Sequence, residues 1–129
     1  MESIYKLVGN TPLVEYKKNI YAKFEAYNPS GSIKDRPVFY IIKNAIKNNK
    51  LKPNQTIVEA SSGNTGISVA FISSLLGHPC KIIMPCDMSS ERKKYIKLFG
   101  AELIEVGAGD FKSAIKLRNE LAEKNDWFN

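Results

Sequence analysis

A lysine directly behind a Gly-Ser turn is the first group in this sequence that could do chemistry. Residues 28–37 read NPSGSIKDRP, which places Lys34 near the start of a predicted helix. The unpaired amides and the positive dipole end of a helix start disfavour a cation by about 0.3 to 1 kcal/mol. Either Lys34 extends into water, or its amine serves as a nucleophile or base.

A second polar cluster, SSGNTG, occupies residues 61–66, between a short apolar run and an apolar helix. Its small polar residues are Ser61, Ser62, Gly63, Asn64 and Thr65. Free backbone amides and a positive helix end at such a loop can bind a carboxylate or a phosphate. An ordinary Ser/Asn-rich helix cap explains the same composition about equally well. The residues alone leave both interpretations open.

The periodicity of apolar residues predicts the elements that position these two stretches. Two short extended segments, NTPLVEY and IYAKFEAYN, are joined by a polar turn. An amphipathic helix runs from Ile33 to Lys50, and its predicted apolar face consists of Val38, Ile41, Ile42, Ala45 and Ile46. Three strand-helix units follow, with the apolar strands TIVEA, KIIMP and ELIEV. This order predicts an α/β fold with a doubly wound parallel sheet and helices on both faces. Ligands of such sheets bind beyond the carboxyl ends of the strands, so the loop after TIVEA is the predicted site.

Composition and spacing exclude several other classes. The 129 residues carry a formal net charge of +6, spread over what are predicted to be solvated helix faces, so no nucleic-acid partner is predicted. No 18-residue apolar run and no signal-peptide core occur, which predicts a cytoplasmic protein without a membrane segment. One histidine and few clustered carboxylates predict no metal site. Cys80 and Cys86 match no redox or zinc spacing and are predicted to be buried free thiols.

Five stretches of the chain, in order and at similar separations, resemble the amino-terminal part of the cysteine synthases, the O-acetylserine sulfhydrylases. They are GNTPLVEY, YAKFEAYNPSGSIKDRP, EASSGNTG, MSSERKKYIKLFGAEL and AIKLRNELAEKNDWFN. The cysteine synthases are pyridoxal-phosphate enzymes of the tryptophan synthase β-subunit fold. The resemblance implies that residues 1–129 are the amino-terminal portion of such a two-domain β-replacement enzyme.

The resemblance also implies roles for individual residues. Lys34 would form the covalent link to the cofactor aldehyde and act as general base, with a positive helix end and partial burial favouring its neutral amine. Asn64 would hydrogen-bond the ring hydroxyl oxygen of pyridoxal 5'-phosphate. The substrate's α-carboxylate would be held by Ser61, Ser62, Gly63 and Thr65. The implied reaction converts O-acetylserine and sulfide into cysteine and acetate.

Several features leave alternatives to this assignment. Cysteine synthases commonly have threonine at the position of Ser61 and glycine at that of Ser30, so a related β-replacement or β-elimination enzyme that uses O-phosphoserine or serine stays open. The family is much longer, so the chain is expected to be incomplete, and a noncatalytic anion-binding or interaction fragment also stays open. By the same resemblance, residues 13–27 are expected to pair with a second domain, and residues 81–127 to form a mobile subdomain. The full-length family implies a homodimer.

Overall fold

The amino-terminal part of the protein forms a β-hairpin. The computed structural model describes residues 4–129, in which strand β1 (Leu13–Lys17) pairs antiparallel with β2 (Ile20–Lys23). Asn19 in the connecting turn has φ 61°, a left-handed conformation that asparagine tolerates. Every residue of both strands except Ala22 is exposed. The hairpin is therefore as predicted for the first segment and the turn, but the second segment is extended only over Ile20–Lys23, because Glu25–Tyr27 form a 3-10 helix.

The rest of the chain alternates helices and strands, as the apolar periodicity predicts. In chain order the elements are α1 (Asp35–Lys47), β3 (Ile57–Ala60), α2 (Asn64–Leu75), β4 (Cys80–Pro85), α3 (Ser90–Leu98), β5 (Glu102–Val106) and α4 (Phe111–Asn125). Short 3-10 helices lie at Ile4–Leu7 and Glu25–Tyr27.

Strands β3, β4 and β5 form a parallel sheet in that order. After α4 the chain returns to the opposite edge of β3, where Phe128 forms a parallel bridge with Ile57. The Phe128 amide donates to the Thr56 carbonyl at 2.9 Å, and the Val58 amide donates to the Phe128 carbonyl at 2.8 Å. The chain thus winds from β3 in one direction and comes back on its other side, which is the doubly wound topology.

Each face of the sheet packs against helices, because apolar side chains alternate between the two faces. Ile82 and Met84 join the core formed with α1, α2 and α3, whereas Ile83 joins a smaller core with α4. Helix α2 lies in the middle of the larger core and is apolar on nearly all sides, with every residue from Gly66 to Ser73 buried. The prediction of a parallel sheet with helices on both faces is confirmed.

The two cysteines differ in environment. Cys80 is a buried free thiol, and burial raises its pKa to about 12. Cys86 is also free but is exposed, because it follows the end of β4 where the chain turns out of the sheet. The prediction of two buried thiols is therefore wrong for Cys86.

The described residues contain neither a membrane-spanning helix nor a cluster of metal-ligand side chains. Their helices are too short or too polar to span a bilayer. Among the same residues, no group of three or more His, Cys, Asp or Glu side chains is placed to hold a metal ion.

Candidate functional site

The loop between β3 and α2 lies where the winding of the sheet reverses. From β3 the chain proceeds to β4, whereas the neighbour on the other edge of β3, Phe128, is reached only after β5. A reversal of this kind leaves a crevice outside the carboxyl ends of the strands, and ligands of α/β sheets bind there. Residues 61–63 follow the carboxyl end of β3 directly.

Ser61 caps the start of α2 from inside the loop. Its Oγ accepts hydrogen bonds from the amides of Gly66 at 2.9 Å and Gly63 at 3.3 Å. Ser61 therefore acts as a helix cap, as one of the two interpretations of this loop predicts. Within residues 4–129, the amides of Asn64 and Thr65 are left without a partner, because they precede the first intrahelical bond. Two free donors at a positive helix end are suited to an anion.

Gly66 lets the loop lie directly against the sheet. A Cβ atom at this position would lie 3.2 Å from the Ile82 side chain, 3.2 Å from the Ser61 carbonyl oxygen and 3.3 Å from the Ser61 Cβ. Gly63, by contrast, has nothing within 4 Å of a Cβ built on it. The close contact at Gly66 fixes the position of Ser61 above the end of the strands.

The loop residues face two different recesses. Ser61 and Ser62 line a small recess of about 40 Å³ that also contacts Phe111 at the start of α4. Thr65 lines a separate, apolar cleft of about 220 Å³ beside Phe128. Asn64 is exposed at the first position of α2. The structure thus brings Ser61 and Ser62 together in one recess, whereas Thr65 lines a separate cleft.

Lys34 lies at the cap position of α1, immediately after a tight turn. The Gly31 amide donates to the Asn28 carbonyl at 2.7 Å, and Gly31 has φ 89°, which only glycine adopts readily. The Lys34 amide donates to Ser32 Oγ at 3.2 Å. The Lys34 side chain is exposed, so the predicted partial burial is absent in this structure. Its amine pairs with no group within residues 4–129.

Asp35 connects the lysine-bearing turn to α2. Its side chain is fully buried and accepts hydrogen bonds from the Ser30 amide at 2.7 Å and from Ser68 Oγ at 2.6 Å. The Ser30 hydroxyl donates to the same carboxylate and lies 3.0 Å from Ser68 Oγ. Ser68 lies one helical turn after Asn64. The two polar stretches are therefore neighbours, joined through Asp35.

A second network ties both ends of the same turn to Glu25. Arg36 donates to the two Glu25 carboxylate oxygens at 2.7 and 2.9 Å, and Asn28 Nδ2 donates to one of them at 2.8 Å. Thr11 Oγ1 donates to Glu25 at 2.7 Å and accepts from Arg36 at 3.0 Å. Asn28 Oδ1 accepts from the Gly9 amide at 2.9 Å. Hydrogen bonds from Arg36 and Thr11 lower the pKa of Glu25 to about 2.

The Glu25 network predicts a loss of stability in acid. Because the folded-state pKa of about 2 lies below the ordinary value of 4.5, the contribution of Glu25 is complete above about pH 4.5. It declines as the pH falls from there towards 2. Replacing Glu25 by glutamine should lower the urea midpoint at pH 7 and flatten its decline between pH 5 and 2. The matched control is Glu123→Gln, at an exposed glutamate of α4, and an equal change in both variants would contradict the prediction.

Comparison with known proteins identifies the family to which this chain belongs. Residues 4–129 match the model of a family described as pyridoxal-phosphate dependent enzymes. The chain belongs to this family. The fold and the resemblance found in the sequence agree with that membership, and pyridoxal phosphate is the cofactor of the family.

Cysteine synthases are among the most similar relatives of this pyridoxal-phosphate family member. Cysteine synthase B of Campylobacter jejuni is 48% identical over 125 residues, which cover 93% of this chain and 42% of the relative. The crystal structure of cysteine synthase from Entamoeba histolytica is 39% identical with a TM-score of 0.90, covering 97% of this chain and 40% of that one. O-ureido-L-serine synthase superposes with a TM-score of 0.93 at 35% identity, covering 99% and 43%. The chain thus spans less than half the length of these relatives.

The chemistry of the described residues fits part of the cofactor. Lys34 offers an exposed amine that could react with an aldehyde, and Asn64 offers an exposed amide that could bind a ring oxygen. Both extend from the starts of helices that Asp35 joins. The donors therefore suit the aldehyde side of pyridoxal phosphate.

Sequence reasoning missed the residues that hold the site together. No function was predicted for Asp35 and Arg36, although they directly follow Lys34. None was predicted for Glu25 and Asn28 either. Ser68 carried a usable signal, because a polar residue inside an apolar helix must find a partner when buried.

Proposed function

We propose that this chain is the amino-terminal part of a cysteine synthase, which makes cysteine and acetate from O-acetylserine and sulfide. The observation that carries the proposal is the Asp35 link, which joins the Lys34 turn to the helix that starts at Asn64. Support also comes from the 48% identity to a cysteine synthase, over 93% of this chain.

Each residue then has a defined task. The free amides of Asn64 and Thr65 at the start of α2, with the hydroxyls of Ser61 and Ser62 and the backbone of Gly63, hold the substrate's α-carboxylate. Thr65 contributes its amide to this site, because its side chain lines a separate cleft. The Lys34 amine removes the proton from the substrate's α-carbon as a general base. Asn64 holds the ring oxygen of the cofactor. When bound, pyridoxal phosphate supplies the aldehyde that Lys34 links to and the electron sink for the reaction.

The proposal includes the larger protein. Residues 13–27 pair with a second domain, and the exposed apolar side chains of the hairpin, such as Leu13 and Tyr21, support this. Residues 81–127 form a mobile subdomain. The whole protein works as a homodimer in the cytoplasm, in keeping with its resemblance to the cysteine synthases.

A related β-replacement reaction is the second candidate. O-ureido-L-serine synthase is similar in structure at 35% identity, and Ser61 and Ser30 depart from the common cysteine synthase residues. An enzyme with the same Lys34 chemistry that uses O-phosphoserine or serine would fit the described residues equally well. Comparing turnover of these amino acids with that of O-acetylserine distinguishes the two candidates.

Labelling with the cofactor tests the assignment of Lys34. Incubation with pyridoxal phosphate, reduction with borohydride and peptide mapping should show Lys34 modified at least about tenfold faster than Lys50, an exposed lysine beyond α1. The expected reason is that Asn64 holds the cofactor beside Lys34. Equal modification of the two lysines would favour a noncatalytic anion-binding or interaction fragment instead.

A further inference from the structure

The buried carboxyl group of Asp35 forms no ion pair within residues 4–129, whereas the carboxyl group of Glu25 is paired with Arg36. The relative exposure of Asp35 is 0%, and its partners within residues 4–129 are Ser30 and Ser68. Arg36, the adjacent cation, is engaged by Glu25 instead. Burying a carboxyl group costs free energy unless its oxygens are hydrogen-bonded, and a well-packed apolar residue would serve stability as well or better.

We propose that Asp35 is a positioning residue for Lys34, which fixes the lysine-bearing turn to helix α2. The inference rests on the function proposed above, because it concerns how Lys34 is aimed in that reaction. Asp35 acts through hydrogen bonds to Ser30 at one end of the turn and to Ser68 on the helix.

The exposure of Lys34 makes such positioning necessary. An exposed lysine side chain has several rotatable bonds and little packing to select among its conformers. The position of the Lys34 backbone then determines which region the amine can reach. Asp35 is the next residue along the chain, and its bond to Ser68 ties that backbone to α2 at a residue that lies one helical turn, about 6 Å, after Asn64.

The hydrogen bonds from Ser68 and Ser30 to Asp35 form a clasp between α2 and the turn, and Ser30 contributes two of them. Its amide and its hydroxyl both donate to Asp35, and its hydroxyl also lies 3.0 Å from Ser68 Oγ. Three groups from the turn and the helix therefore converge on one carboxylate. Glycine at position 30 would keep the amide bond and lose the hydroxyl, so the serine at this position strengthens the clasp.

Two readouts on Ser68→Ala test the proposal in the intact chain. The first needs no cofactor: amide hydrogen exchange of Ser30 and Lys34 should rise about tenfold or more, since the hydrogen bond that joins Asp35 to α2 is removed. The second is the rate of borohydride-trapped pyridoxal phosphate modification at Lys34 relative to Lys50, which should fall several-fold. The matched control is Ser73→Ala, also fully buried in α2, whose hydroxyl hydrogen-bonds neither Asp35 nor the lysine-bearing turn.

The outcomes separate this inference from the proposed function. Exchange and labelling that stay the same in Ser68→Ala and Ser73→Ala would overturn the positioning role. Absence of preferential Lys34 labelling in the unmodified chain would contradict the proposed function, while the exchange of the Ser30 amide still decides whether Asp35 fixes the turn. If Ser68→Ala does not fold, Ser30→Ala gives the same test, with recovery in Ser30→Thr expected and its failure counting against the proposal.

Discussion

Replacing Lys34 by alanine is expected to lower cysteine formation by about 10³-fold or more. General base catalysis contributes about 10² to 10⁴ in rate, and in the proposed function Lys34 supplies both the base and the link to the cofactor. The measurement uses a chimera of this chain with the remaining part of Campylobacter jejuni cysteine synthase B, the relative of which this chain spans 42%. Cysteine formed from O-acetylserine and sulfide is assayed with pyridoxal phosphate present.

The control for this experiment is Lys50→Ala in the same chimera. Lys50 is exposed beyond the end of α1 and should leave the rate within about twofold of the wild-type chimera. A Lys34→Ala chimera that keeps more than about a tenth of the wild-type rate would rule out the proposed role. Near-equal unfolding midpoints of the two variants would show that the loss is chemical, because the Lys34 amine has no hydrogen-bond or ion-pair partner within residues 4–129.

Replacing Gly66 by valine is expected to destabilise the fold by about 2 kcal/mol or more. The first added carbon alone would meet Ile82 and the Ser61 backbone at 3.2 Å, and valine adds two further methyl groups at a buried position of α2. Overpacking of this kind typically costs about 1 to 3 kcal/mol. Because the Ser61 carbonyl oxygen is one of the contacts, the loop itself must move, and the Ser61 bond to the Gly66 amide should weaken.

The control for Gly66→Val is Gly63→Ala at the other glycine of the same loop. A Cβ at Gly63 meets nothing within 4 Å, so the free energy of unfolding of this variant should lie within about 0.5 kcal/mol of that of the parent. Urea unfolding at pH 7 measures both free energies. Equal stability of the two variants would mean that α2 does not pack on β4 as closely as the structure shows.

Local patterns in the sequence were sufficient for the elements and their order. The strands TIVEA, KIIMP and ELIEV each appear within one or two residues of the predicted bounds, because short apolar runs covered by helices have few alternatives. The α1 face was predicted less well. Val38, Ile42 and Ala45 are buried, but Ile41 and Ile46 are 56% and 38% exposed. Periodicity defines an apolar stripe, and the packing partner decides how wide a part of it is covered.

The loop residues show a similar division. The composition of SSGNTG predicted small polar groups at a helix start, which the structure contains. It could not indicate that the Ser61 oxygen accepts from Gly63 and Gly66, or that Thr65 lines a different cleft from Ser61 and Ser62. Those outcomes depend on the direction in which α2 leaves the sheet.

The sequence by itself determined the helix-strand order, the family resemblance and Lys34 as the reactive candidate, since each depends on residue types at short spacing. Only the tertiary structure decided that Asp35 and Ser68, 33 residues apart, hold the lysine turn against α2, and that Glu25 clasps both ends of that turn. The physical reason is that the sequence offers each polar side chain many possible hydrogen-bond partners and does not indicate which of them lies nearby in the fold. Burial selects among them, because a buried carboxylate must find its donors wherever the packed chain brings them.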